Sequence, residues 1–220
     1  MTLLRIQLIV EGHSEAECLN SLVIRYLQKQ GVYDVIPTRA PINTKGCSKL
    51  KVEYQKQRHL GIEYFVSMAS QKRPDAILIL LDADDECFER RRNNKSALGP
   101  CLLKRAANHS RDIPVRVAVA NRQFEAWLVA GWPDIASQID MPHPDRIARH
   151  DWENAEIRAG HGEKIRDALG RKYSKTLDMP KMVKHLPFEG DVLTFAPSYA
   201  RFLRVVKDLV NEAREFKKGK

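Results

Sequence analysis

The chain has 220 residues, 43% hydrophobic and 30% charged, which suits one domain, or one domain with an appendage, built round a real core. Its 37 Lys and Arg against 28 Asp and Glu leave a net charge of +9, which favours a polyanionic partner such as nucleic acid. No apolar run approaches the roughly 20 residues that span a bilayer, and Arg5 and Gln7 interrupt any signal-peptide core. Cys18, Cys47, Cys87 and Cys101 form no C-x-x-C pair, which argues against a zinc ribbon or disulfide scaffold. The expectation is a reduced, cytoplasmic protein with no membrane partner and an oligomeric state left open.

Leu3 to Val10 predicts a first strand, increasingly apolar toward its end. Ser14 and Glu17 predict a capping box, and Leu19, Leu22, Val23, Tyr26 and Leu27 follow at helical spacing until Gly31 closes the helix. "VYDVIP" predicts a second strand, followed by a loop through Gly46. Leu50, Tyr54, Gln57, Gly61, Tyr64, Phe65 and Met68 trace one face of a second helix, with Ser48 as its cap. "DAILILLD" is a continuous apolar run of the kind buried on both faces of a sheet.

Residues 83–98 are polar and basic and predict a loop or lid, with a helix from about Pro100 to Asn108 after it. "VRVAVA" predicts another strand, and Asn121 is placed to cap the helix "RQFEAWLVA". From Trp132 onward the pattern holds helices and turns. The last helix is opened by Pro197 and Ser198 and carries Tyr199, Phe202, Val205, Val206 and Leu209 on one face. Alternating strands and helices predict an α/β fold, a parallel sheet flanked by helices. The expected division is a core over residues 1–131 and a mainly helical extension over 132–220 packed on it.

Ligands of open α/β sheets sit beyond the carboxyl ends of the strands. The first strand ends in Glu11 and the apolar one in "DADDE", with Asp82, Asp84, Asp85 and Glu86. Parallel central strands would bring Glu11 and Asp82 to one edge, and Glu15, one turn into the first helix, within reach of it. Like charges crowded there are costly unless neutralised, and a divalent cation bracketed by Asp82 and Asp84 would do so. With no H-E-x-x-H spacing among the histidines, carboxylate ligands point to Mg2+ or Mn2+. Aspartates also favour caps and turns, which is the better account of Asp85 and Glu86. His13 is either a ligand or a solvated loop residue, and Trp127 and Trp132 either stack on bases or fasten the helical part to the sheet.

"VEGHSE" after one strand and "DAD" after the next apolar one resemble the Toprim motifs of topoisomerases, bacterial primases and the overcoming-lysogenization-defect nucleases. The resemblance implies a Toprim-like, Rossmann-like sheet in which Glu11 is the general acid or base and Asp82 and Asp84 bind magnesium. The nucleases of that group use a longer V-E-G-x-x-[DE] pattern, which Glu15 matches, and place two metals. "QFEAWLVA", "YSK" and "PSYARF" extend the likeness over nearly the whole chain, to a DUF4276-type Toprim-like family of bacteria and archaea often encoded beside ATPases. A later glutamate and a lysine complete the nuclease site; by order along the chain these are Glu125, as a metal ligand, and Lys175, as a catalytic residue. Read alone, Glu125 is either partly buried or on its helix's wet side, and Lys175 lies in a polar turn where lysines usually solvate.

The function this implies is a metal-dependent nuclease, acting on DNA ahead of RNA, with an ATPase partner and a role in phage defence or DNA processing. The chain is short for a topoisomerase, and its cysteines deny a primase-type zinc module. The alternative is a non-catalytic subunit that binds nucleic acid or a nucleotide and regulates a separate ATPase, since the chain has no G-x-x-x-x-G-K-[ST] loop. Arg90, Arg91, Arg92 and Lys95 in "ERRRNNK" are the expected phosphate contacts. Replacing Arg90, Arg91 and Arg92 together by alanine is expected to flatten the salt dependence of nucleic-acid binding; a triple variant that binds like the parent at every salt concentration would make the run a solvated surface.

Overall fold

A computed structural model describes residues 3–93, 95 and 97–219, with the side chains of Cys87, Phe88 and Arg91 outside the described set. Its strands are β1 (Leu4–Val10), β2 (Val35–Pro37), β3 (Ile42–Asn43), β4 (Ala76–Asp82) and β5 (Val115–Ala120). They form one sheet in the order β2-β1-β4-β5, and β3 also pairs with β1. Every pairing is parallel, with β1 meeting β2 near its start, β3 near its end, and β4 along its other side. The crossovers are helical: α1 (His13–Lys29), α2 (Ser48–Lys51), α3 (Ile62–Gln71), α4 (Glu86–Arg92) and α5 (Leu98–Ala107).

All seven residues of β4 are buried, as its unbroken apolar run requires. Because successive side chains point to opposite faces, Ala76, Leu78 and Leu80 enter one apolar cluster and Ile77, Ile79 and Leu81 the other. Helices α3 and α5 cover the second face. The first face is covered by α1 and by the chain beyond β5: α6 (Glu125–Ala130), α7 (Trp132–Gln138), α8 (Arg149–Glu153), α9 (His161–Leu169), α10 (Met179–Val183), α11 (Val192–Phe195) and α12 (Pro197–Lys218). The fold is thus α/β, a parallel sheet flanked by helices with a helical C-terminal part. Among the described residues no helix is long and apolar enough to cross a membrane.

Four local expectations are corrected. Gly12, in extended conformation, precedes α1 with no side-chain cap, so Ser14 lies buried inside the first turn and the Ser14–Glu17 capping box does not form. The single helix expected over residues 48–68 is broken. Gly61 has φ +90°, and a Cβ there would fall 2.8 Å from the Tyr54 Cα, so the chain must turn before α3 begins. Residues 86–92, expected as loop or lid, are helical, supported by an i,i+4 bond from Arg90 Nε to Glu86 Oε1 at 2.8 Å. Asn121 does not cap α6, which starts at Glu125; its backbone N–H donates to Ser198 Oγ at 3.0 Å.

That serine joins the sheet to the helical part. Trp127 Nε1–H also donates to Ser198 Oγ, at 2.8 Å, while the Ser198 N–H donates to Glu156 Oε1 at 2.8 Å. Round this joint the Trp127 ring lies 4.9 Å from Phe124, 5.1 Å from Tyr199 and 5.2 Å from Phe202, centroid to centroid. Trp127 and Trp132 are both buried and so act as fasteners, not as base-stacking platforms. Ser198→Ala leaves two buried donors unpaired and is expected to cost about 2–4 kcal/mol in urea unfolding. A loss under about 0.5 kcal/mol would show that the joint is not held by these bonds.

Candidate functional site

Parallel pairing of β1 with β4 brings their carboxyl ends together, so the residue after β1 and the last residue of β4 share one edge. There the Asp82 backbone N–H donates to Glu11 Oε1 at 2.8 Å. The Asp82 carboxylate accepts, through Oδ1, the backbone N–H of Phe124 at 2.9 Å, just before α6. The next residue, Glu125, is 1% exposed, and Lys175 Nζ reaches its Oε1 at 2.7 Å from the loop between α9 and α10. Glu125 Oε2 is buried with no hydrogen-bond partner among the described residues.

Glu15 closes the cluster from α1. Its carboxylate folds back over Gly12, where a Cβ would meet Glu15 Oε2 at 2.2 Å. The glycine of "VEGHSE" therefore makes room for this side chain.

Four carboxylates thus share this edge, three of them buried, with one ammonium paired to Glu125, and the electrostatics follow. Burial first, then Glu11, Glu125 and Glu15, push the Asp82 carboxyl well above its ordinary 3.8, against a downward pull from Lys175. Burial also raises Glu15; Glu11 and Glu125 add to this, while its own backbone amide and Lys175 oppose it. Burial works against the Lys175 charge, yet Glu125, Asp82 and Glu15 hold the ammonium above its ordinary range.

Glu11, Glu15, Asp82, Glu125 and Lys175 are therefore brought together. Asp84 is set apart: its backbone is left-handed (φ 48°), and its exposed carboxylate accepts from Cys47 Sγ at 3.3 Å and lies 3.9 Å from Lys51 Nζ. The Arg122 guanidinium pairs through Nη1 with Asp85 Oδ1 at 2.7 Å. Arg90 pairs with Glu86, Arg92 and Lys95 are exposed, and the Arg91 side chain lies outside the described residues. His13 is exposed on the first turn of α1. Sequence reading misses the Phe124 amide, since a backbone donor leaves no residue signature.

An all-oxygen donor set with a partnerless buried Oε2 suits a hard divalent cation. Among the described residues no three His, Cys, Asp or Glu side chains already form a ligand group. Glu11, Asp82 and Glu125 each commit one oxygen to the protein, through Asp82 N–H, Phe124 N–H and Lys175, and retain the other.

These features define a parallel α/β protein with a carboxylate cluster at the carboxyl edge of its sheet. The chain belongs to the DUF4276 family, a domain of unknown function, whose family model matches residues 10–206. Two solved structures of the C-terminal region of the Xanthomonas campestris pv. campestris OLD protein are similar to it. The one phased with iodine has 13% identity and a TM-score of 0.44, with 96% of this chain and 97% of that chain covered. The one phased with platinum has 12% identity and a TM-score of 0.45, with 97% of each chain covered. No curated protein matches the chain.

The raised Asp82 carboxyl makes a testable statement about stability. The folded protein holds this proton more tightly than the unfolded chain does, so the residue's contribution is complete below pH 3.8 and is lost as pH rises through the raised folded value. In Asp82→Asn the amide oxygen can still accept the Phe124 N–H, and the charge is gone. The melting temperature of the variant in EDTA should therefore exceed the parent's by a margin that widens from pH 4 to pH 8. A gap independent of pH would contradict the crowding of charge at this edge.

Proposed function

We propose that this protein is a Toprim-type, divalent-metal-dependent nuclease that hydrolyses nucleic-acid phosphodiesters, DNA ahead of RNA, in the cytoplasm. One observation carries the reading. Carboxylates from the ends of β1 and β4, from α1 and from α6 gather at one edge with a single lysine paired to Glu125, an excess of negative charge that calls for a cation. The "VEGHSE" and "LLDADDE" motifs supply the Toprim assignment, and the same resemblance supplies a separately encoded ATPase and a defence or DNA-processing role.

Mg2+ or Mn2+ would be held by Glu11, Glu15, Asp82 and Glu125 and would supply Lewis acidity at a phosphate oxygen, while Asp84, the further ligand expected from the motif, is turned toward Cys47 and Lys51. Glu11 is the least buried of the four clustered carboxylates, and with Oε1 taken by the Asp82 amide its Oε2 is the atom left to accept or return a proton. Asp82 and Glu15, held toward their protonated forms by burial, keep the edge from carrying its full charge before a ligand arrives. Lys175, with 47% of its side chain exposed, presents positive charge both to Glu125 and to a bound phosphate, where negative charge grows during hydrolysis. Arg90, Arg91, Arg92 and Lys95 would steer the strand through its phosphates.

A second reading, resting on the net charge of +9 and the lack of a G-x-x-x-x-G-K-[ST] loop, is a non-catalytic subunit that binds nucleic acid or a nucleotide and regulates a separate ATPase. Glu11→Gln separates the two. Its amide oxygen can keep the Asp82 bond, so the melting temperature should stay close to the parent's, while Mg2+-dependent cleavage should fall at least about 100-fold. Equal cleavage by parent and variant, or none by a parent assayed with its ATPase, would transfer support to the regulatory reading.

A further inference from the structure

The hydroxyl of Tyr173 is buried and has no hydrogen-bond partner among the described residues. This is costly: a buried donor without an acceptor forfeits the water it gave up on folding. The residue lies in the α9–α10 loop, two positions before Lys175, and its ring packs on the main apolar cluster and against Gly162. After burial, the neighbour that most raises the phenol is the Glu125 carboxylate. Glu125 is itself 1% exposed and carries the partnerless Oε2. The Lys175–Glu125 ion pair at 2.7 Å holds the loop that carries this buried, unsatisfied donor against the helix that carries the buried, unsatisfied Glu125 Oε2.

We propose that Tyr173 is a further residue of the site: its O–H donates to a water of a hydrated divalent cation held against Glu125. The inference rests on the metal-dependent reading above and adds a residue to it. Burial and the neighbouring carboxylates raise the phenol far above its ordinary range, so it is a donor and never a phenolate at any working pH. Its part is to orient the water and to fix which Glu125 oxygen faces the ion, a positioning role of the kind that partners of metal ligands play.

Tyr173→Phe removes only the hydroxyl and tests the idea against Tyr199→Phe. Tyr199 is also buried with a partnerless hydroxyl, and its ring lies in the aromatic joint beside Trp127 and Phe202. Parent and both variants are measured for melting temperature in EDTA, for Mn2+ affinity by calorimetry with the metal alone, and for Mg2+-dependent DNA cleavage. Loss of an unsatisfied hydroxyl should raise the metal-free melting temperature of both variants. Mn2+ affinity should fall about tenfold in Tyr173→Phe only.

A Tyr173→Phe protein that binds Mn2+ as the parent does overturns the proposal and leaves the nuclease reading in place. A parent that binds Mn2+, loses affinity on Tyr173→Phe and cleaves neither DNA nor RNA even with its ATPase present supports Tyr173 and overturns the nuclease reading. A parent that binds no Mn2+ overturns both.

Discussion

Asp82 ties three crossings of the chain together with two hydrogen bonds. Its backbone N–H binds Glu11 at the β1–α1 turn, and its carboxylate binds the Phe124 N–H at the β5–α6 turn. The parallel β1–β4–β5 arrangement makes this geometry available, because all three strands end on the same side. The bond to Phe124 in turn fixes the start of α6, so Glu125 arrives beside the same edge. One aspartate at a strand end thus sets both the local backbone and the spacing of the charges round it.

The price of that arrangement is charge crowded where water is scarce, and the helical half of the chain is organised to bear it. Lys175 comes from the α9–α10 loop to meet Glu125, and Tyr173 comes with it. The Ser198–Trp127–Glu156 joint holds α12 against α6, so the loop and the sheet edge are braced by one apolar cluster. The compensation is only partial. One ammonium beside four carboxylates leaves protonation or a cation to supply the rest, and burial, with this crowding added, pushes Asp82 and Glu15 toward their neutral forms.

The sheet was legible because its strands are unbroken apolar runs and its crossovers have helical period; β4 and β5 stand within "DAILILLD" and "VRVAVA". The nearness of Glu11 to Asp82 was legible too, since it follows from parallel strands alone. Turn chemistry was less so. The break before α3 depends on Gly61 meeting the Tyr54 backbone, a contact between segments that helical periodicity does not record. The start of α1 at His13 also overrode the Ser14 signal, with Gly12 placed to admit Glu15. The ion pair of Lys175 with Glu125 joins residues far apart in sequence through packing of a loop, and Asp84 departs from Asp82 through a left-handed backbone that no residue pattern announced.

The central claim is that the carboxylates at the β1 and β4 ends form a cation site. Crystals grown without metal and soaked in Mn2+ test it directly, through anomalous difference density. A peak is expected at the sheet edge, ligated by the free oxygens of Glu11, Asp82 and Glu125. A fully soaked crystal with no peak there, or with Mn2+ bound only at other carboxylates, would contradict it.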